Sequence, residues 1–119
     1  MDGKNLVRRR ESLYGSELQN TAMPVDMTKA APKASRVLFE NDDVRVVELN
    51  WRRGLKVEMH SHPDYFTYGI TAIKYKSTSP DGKTVKRSIK KGEVQWYPAE
   101  SHAVESTGVL GRAIIVELK

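Results

Sequence analysis

The stretch Gly54-Leu-Lys-Val-Glu-Met-His60-Ser-His62-Pro-Asp64 predicts an extended strand that carries two histidines two residues apart. Because successive side chains of a strand alternate between its faces, His60 and His62 point the same way, roughly 6–7 Å apart along the backbone. Two imidazoles at that separation can converge on one metal ion at about 2.0–2.1 Å per nitrogen. The stretch therefore predicts two of the ligands of a metal site.

A third ligand has to come from elsewhere, and the remaining histidine of this sequence is His102. It ends the segment Gly92-Glu-Val-Gln-Trp-Tyr-Pro-Ala-Glu-Ser-His102, which again predicts a strand followed by a turn. Imidazole suits Zn, Cu, Fe and Ni, so three neutral histidines make a competent divalent site with open positions. We expect His60, His62 and His102 to bind one divalent metal ion, with Fe, Ni, Mn or Zn as the candidates.

Length and composition describe one domain. The 119 residues, 39% of them hydrophobic and 29% charged, are enough to bury a core. No apolar run approaches the ~20 residues of a membrane span, and none follows Arg8-Arg9-Arg10 to form a secretory signal. The chain has no cysteine, which excludes disulfides, thiolate ligands and a cysteine nucleophile. We expect a cytoplasmic protein without a membrane partner.

The net charge of +5 raises the question of nucleic-acid binding. The basic residues are scattered, however, and those between residues 74 and 91 predict a solvated face and a protected sheet edge. We therefore expect no nucleic-acid partner. A small-molecule ligand or substrate fits the predicted metal site better.

The order of the chain predicts an arm followed by a β domain. In residues 1–34 a short helix over about 8–19 is predicted, followed by an extended arm that lies over the barrel or reaches a partner subunit, or is a partly disordered tail. Residues 35–119 alternate between short β-rich runs and turns, including the hairpin signal Ser79-Pro80-Asp81-Gly82. About eight to ten short strands indicate an all-β sandwich or barrel.

The histidine segments also resemble the two motifs of the cupin superfamily. Gly54, five residues and then His60-x-His62 is similar to the first motif. Gly92, five residues, Pro98 and then His102 is similar to the second. The resemblance implies a jelly-roll β-barrel and, as in other small cupins, a homodimer.

The sequence departs from the cupin pattern at several positions. A glutamate usually follows the second histidine by four or five residues, where this chain has Phe66 and Thr67. The glycine that usually ends motif one would fall near Ile73, and Glu100 occupies a glycine position of motif two. Over roughly residues 35–118 we interpret the chain as a divergent small cupin that keeps three histidines and lacks the motif-one carboxylate.

Strand alternation predicts which side chains surround the site. Glu58 shares the face of the two strand histidines, Phe66 and Tyr68 continue it, and Val57 lies on the opposite face. We place Glu58, Phe66 and Gln95 at the pocket, and Tyr68 is the candidate catalytic residue, with a hydroxyl near the metal. The alternative for all of these residues is a structural role, filling the barrel interior or standing at its mouth.

A three-histidine centre resembles that of the cupins similar to cysteine dioxygenase or to the diketone-cleaving dioxygenases. That resemblance implies a dioxygenase-type oxidoreductase for an anionic or diketone-like small molecule, with the metal as Lewis acid. The alternative is a non-catalytic cupin that binds a small ligand or a metal, or one that keeps the shape without the ion. The fold hosts both enzymes and binders, so it does not decide between them.

Overall fold

The structure of the chain is a computed structural model, which describes residues 25–108 and 110–119. In it the chain folds into two antiparallel β-sheets that face each other. The described residues form one four-residue helix, α1 (Met27–Ala30), and nine strands. The strands are β1 (Ser35–Glu40), β2 (Val44–Trp51), β3 (Lys56–His62), β4 (Tyr65–Gly69), β5 (Ile73–Thr78), β6 (Thr84–Ile89), β7 (Val94–Tyr97), β8 (Glu100–Ser106) and β9 (Gly111–Leu118). The helix predicted over residues 8–19 lies outside the described residues.

The two sheets have the strand orders β1-β2-β9-β4-β7 and β3-β8-β5-β6. Strands follow the predicted alternation: on β9, Ala113, Ile115 and Glu117 are buried while the residues between them are half-buried. The all-β class predicted from the sequence is therefore confirmed. No strand pair joins the two sheets within the part of the chain that the structure describes, so the barrel is not closed by hydrogen bonds.

The predicted hairpin joins β5 to β6. The Ser79 amide donates a hydrogen bond to the Lys83 carbonyl at 2.8 Å, and Gly82 adopts φ +90°, a conformation that glycine reaches without steric cost. This turn pairs Ile73 with Ile89, both of which are buried. The turn residues read from the sequence thus set the register at one edge of the four-stranded sheet.

The core lies between the sheets, and residues 25–34 cover one end of it. Met27, Ala31 and Ala34 of this covering segment are buried among the core residues. The segment is also tied to the histidine strand, because the Ser61 amide of β3 donates to the Val25 carbonyl at 2.8 Å. Among the described residues no helix is long and apolar enough to cross a membrane.

Candidate metal site

The pairing of β3 with β8 brings the three histidines together. His60 lies directly opposite His102 in the register, and His62 lies two residues further along β3. Each side chain is 3% exposed, and the ring centroids are 4.8 to 5.2 Å apart. One ring nitrogen from each lies within 4.8 Å of the other two, so the three histidines could hold a metal ion.

Each imidazole is oriented through Nδ1 by a different partner. His60 Nδ1 donates to the Glu58 carbonyl at 2.7 Å, and His62 Nδ1 donates to the Glu117 carboxylate at 2.8 Å. His102 Nδ1 shares a hydrogen bond of 2.8 Å with the Ser77 hydroxyl. These contacts leave Nε2 of each ring available to a metal, which is the arrangement that buried metal-binding histidines usually have.

The Glu117 carboxylate is itself held in place. It is 2% exposed, and its other oxygen accepts a hydrogen bond from Arg45 Nε at 2.9 Å and lies 2.7 Å from Arg45 Nη2 in an ion pair. Arg45 also pairs with Asp26, whose side chain caps α1 by accepting the Thr28 amide at 3.0 Å. A chain of charges therefore runs from the covering segment to His62.

A β-bulge changes which residues of β3 face the cavity. The register shifts between Val57 and His60, so Val57 is buried and lines the cavity together with the histidines. Glu58 falls within the bulge, where its side chain is exposed. Strand alternation therefore placed both residues wrongly, because an inserted residue reverses the alternation. Glu58 reaches the site through its carbonyl alone.

On β4 the inward residues are Tyr65 and Thr67, not Phe66 and Tyr68. Tyr65 is 2% exposed and lines the cavity with Thr67, whereas Tyr68 is 41% exposed. The alternation counted from His62 does not continue, because β3 and β4 belong to different sheets and the chain turns between them. The prediction that Phe66 and Tyr68 face the histidines is wrong.

Gln95 is turned inward but stays beside the cavity. It lies opposite Thr67 on β7, and its amide donates to the Ser88 carbonyl at 2.9 Å. Its side-chain oxygen accepts the Tyr97 hydroxyl. Since Tyr97 stacks on Tyr65 at 5.2 Å between ring centroids, Gln95 supports the wall of the site from behind.

Sequence reasoning missed the charged group beside the histidines, formed by Tyr65, Glu100 and Arg87. Tyr65 stacks on His62 at 4.3 Å between centroids, and its hydroxyl donates to Glu100. Arg87 donates both terminal nitrogens to the same carboxylate at 2.9 Å each. The signal was present in Glu100, which replaces a motif glycine, but its partner Arg87 lies on β6, where the basic residues resembled a solvated face.

The protonation states of this region follow from burial. Burial lowers the pKa of His60 to about 4 and the pKa of His102 to about 3, so both are neutral near pH 7. Burial and the charge of Glu100 raise the pKa of Tyr65, which keeps its proton. Burial works against the charged form of Glu100, but hydrogen bonds from Arg87 and Tyr65 outweigh it and lower the pKa of that carboxyl.

The histidines line an enclosed, mostly apolar cavity of about 30 Å³. Besides the histidines and Tyr65, its wall includes Trp51, Val57 and Ile115, and Met27 and Ala31 of the covering segment complete it. A volume of about one water-sized sphere is enough for an ion or a water molecule. An organic molecule would not fit in this volume without a rearrangement of the wall.

Two facing sheets around a buried histidine cluster define the class of fold, and comparison with solved structures identifies that class as the cupins. A cupin domain from Bordetella pertussis Tohama I matches with a TM-score of 0.65 and 23% identity over 71% of this chain and 91% of that chain. A cupin superfamily protein from Desulfitobacterium hafniense DCB-2 matches with a TM-score of 0.55 and 19% identity, over 71% and 74%. The Clostridium difficile EutQ protein matches with a TM-score of 0.52 and 18% identity, over 80% and 75%.

The chain therefore has the cupin fold, which confirms the resemblance found in the two histidine motifs. No family model matches the sequence, and no curated protein does. At these identities the structural neighbours establish the fold alone.

The lowered pKa values predict how the stability of the metal-free protein depends on pH. Between about pH 6.5 and pH 4 the unfolded chain binds protons at His60 and His102 that the folded chain excludes, so stability falls as pH falls. We expect the free energy of unfolding to fall by on the order of 2–4 kcal/mol from about pH 7 to pH 5, a range that lies above the pKa values of ordinary carboxylates. Urea unfolding at several pH values in the presence of a chelator measures it. His102→Gln should flatten the profile, and a parent profile already flat over this range would contradict the burial of neutral imidazoles.

Proposed function

We propose that His60, His62 and His102 bind one divalent metal ion through their Nε2 atoms. The observation that carries this proposal is that all three buried rings have Nδ1 occupied by a fixed partner, while one ring nitrogen from each lies within 4.8 Å of the other two. Burying three imidazoles together costs desolvation, and a shared metal ion would offset that cost. The donor set suits Fe, Ni, Mn or Zn.

We further propose that the metal-bound protein is an enzyme of the dioxygenase type that acts on a small anionic or diketone-like molecule. The metal would supply Lewis-acid chemistry, with coordination positions open to a substrate. Around it, the apolar wall would exclude water, and the protonated Tyr65 would hold its hydroxyl between the cavity and Glu100. Among residues 25–108 and 110–119, the cluster with three converging donor atoms contains histidines and no carboxylate, and this favours the three-histidine class over the facial triad.

The alternative function is a non-catalytic cupin that binds a metal or a small ligand, and the size of the cavity favours it. At about 30 Å³ the cavity admits an ion without any rearrangement. Catalysis on an organic molecule additionally requires the wall of the cavity to rearrange. Turnover therefore separates the two functions.

Metal content tests the site itself. The purified protein should contain about one divalent ion per chain, and each of His60→Ala, His62→Ala and His102→Ala should lower the metal content severely, because two remaining imidazoles hold an ion poorly. Elemental analysis after dialysis against a weak chelator measures the content. Full retention of the metal in any two of the three variants would contradict a site built from these three histidines.

Two separate glutamate substitutions on the five-stranded sheet test whether the hydrogen bond from His62 to Glu117 supports metal binding. Glu117→Gln weakens the hydrogen bond that orients His62, so metal affinity should fall about 10- to 100-fold. Glu48→Gln is the matched control, because Glu48 is also a buried carboxylate in ion pairs, with Arg36 and Arg112, but its pairs include no histidine. Competition titration with a chromogenic chelator gives both affinities. Equal losses in the two variants would mean that Glu117 acts through general stability.

Oxygen consumption by the iron-loaded protein tests the enzyme proposal. A small panel should include a β-diketone and an anionic thiol, and we expect consumption that depends on one of them and disappears in His60→Ala. An oxygen electrode follows the reaction, and free iron at the same concentration is the control. Tight metal binding without substrate-dependent consumption would favour the non-catalytic alternative and leave the metal site intact.

A further inference from the structure

A cleft of about 480 Å³ lies outside the histidine site, where β2 ends beside the start of β9. The register pairs Asn50 with Arg112 and Trp51 with Gly111, and all four residues line the cleft. Small-molecule sites in proteins usually have volumes of about 300–1,000 Å³. The cleft is therefore large enough for an organic molecule, whereas the cavity of about 30 Å³ at the histidines is not.

The charged side chains that line the cleft are Lys33, Arg52 and Arg112, all of them cationic. In the part of the chain that the structure describes, no carboxylate lines it. Arg112 pairs with Glu48 outside the lining, but Arg36 shares that carboxylate at 3.0 Å, so one negative charge is set against two guanidinium groups. The cleft therefore keeps a positive charge, and its guanidinium groups suit carboxylate or phosphate oxygens.

Backbone hydrogen bonds fix the segments that carry Lys33 and Arg52. The Asn50 amide of β2 donates to the Ala34 carbonyl at 2.7 Å, which holds the residue next to Lys33 against the sheet. The Arg52 carbonyl accepts the Leu55 amide at 3.0 Å, which closes the turn between β2 and β3. The backbone at both cations is therefore held in place without a ligand.

The opposite wall of the cleft, at Thr71, is also fixed. The amides of Ile70 and Thr71 donate to the Arg112 carbonyl at 3.0 and 3.2 Å, and Thr71 Oγ1 accepts the Arg112 amide at 3.0 Å. A Cβ atom at Gly111 would lie 2.9 Å from Thr71 Oγ1, so glycine permits this close approach. The walls are therefore preorganised, which lowers the ordering cost of binding a ligand.

We propose that this cleft binds a small organic anion that carries at least two negative charges, as carboxylates or as a phosphate ester. Two charges fit because the cations come from separate segments, Lys33 from the end of the covering segment and Arg52 from the turn before β3. Trp51 and Leu110 supply apolar surface for the organic part of the ligand. The site uses none of the histidines, so the proposal does not depend on metal binding.

Binding of two simple dianions tests the proposal. Phthalate and phenyl phosphate are aromatic dianions of similar size at about pH 7.5, and phthalamide is the neutral counterpart of phthalate. By isothermal titration calorimetry at low salt, we expect at least one dianion to bind with a dissociation constant of about 1 mM or below, and more weakly as salt is added. The tighter dianion identifies the ligand class as carboxylate or phosphate ester. Phthalamide binding as tightly as phthalate, or no binding of either dianion at about 10 mM, would overturn the proposal.

Two neighbouring arginines supply a matched pair of variants. Arg52 lines the cleft and Arg53 does not, although both are exposed and each substitution removes one positive charge. Arg52→Gln should raise the dissociation constant of the dianion at least about 10-fold and Lys33→Gln at least about 5-fold, whereas Arg53→Gln should change it less than about 2-fold. Circular dichroism checks that each variant is folded. Equal losses in Arg52→Gln and Arg53→Gln would mean that the anion responds to net charge alone, and would overturn a specific cleft.

The variant His60→Ala separates this proposal from the proposed metal site. It should lose the metal but keep the dissociation constant of the dianion within about 2-fold, because His60 does not line the cleft. Dianion binding that disappears in His60→Ala would place the anion at the histidines and overturn the cleft proposal. A parent that binds the dianion without binding any metal would support the cleft and contradict the proposed function.

Discussion

The pairing of β3 with β8 is the constraint on which the candidate site depends. It sets His60 directly opposite His102, so two imidazoles that are 42 residues apart in the sequence meet at a fixed backbone distance. A slip of one residue would turn His102 to the other face of its sheet and leave its ring without the Ser77 hydroxyl. The close approach of the three rings and the burial that keeps His60 and His102 neutral both follow from this register.

Much of the fold and the centre of the site could be predicted from the sequence because both rest on local patterns. The two histidines of β3 share a face through simple alternation, and the turn glycines separate the strands where the structure separates them. The cupin resemblance then supplied the pairing of the two motifs, which no local pattern contains. The sequence and the resemblance together therefore predict the cluster of His60, His62 and His102 that the structure contains.

The remaining pocket residues could not be predicted because alternation is valid only within one uninterrupted strand. The bulge in β3 reverses it between Val57 and His60, so the Glu58 side chain is exposed while its carbonyl orients a histidine. The chain crosses from β3 to the other sheet, and the alternation starts again at Tyr65, which faces the cavity. Phe66 and Tyr68 therefore do not lie on the cavity side of β4 as predicted, and Tyr68 is 41% exposed. Both errors come from the path of the backbone, because the chemistry of these side chains indicates neither the bulge nor the change of sheet.

The chain of charges that runs from Asp26 through Arg45 and Glu117 to His62 would couple access to the cavity with the proposed binding of a metal ion. Any molecule that displaces α1 also disturbs the pair between Asp26 and Arg45, and Arg45 is the partner that Glu117 shares with His62. By reciprocity, if an entering molecule changes the affinity of the histidines for an ion by some factor, the ion changes the affinity for that molecule by the same factor. The covering segment thus closes one end of the core and, through Asp26 and Arg45, also helps to hold the Glu117 carboxylate that orients His62.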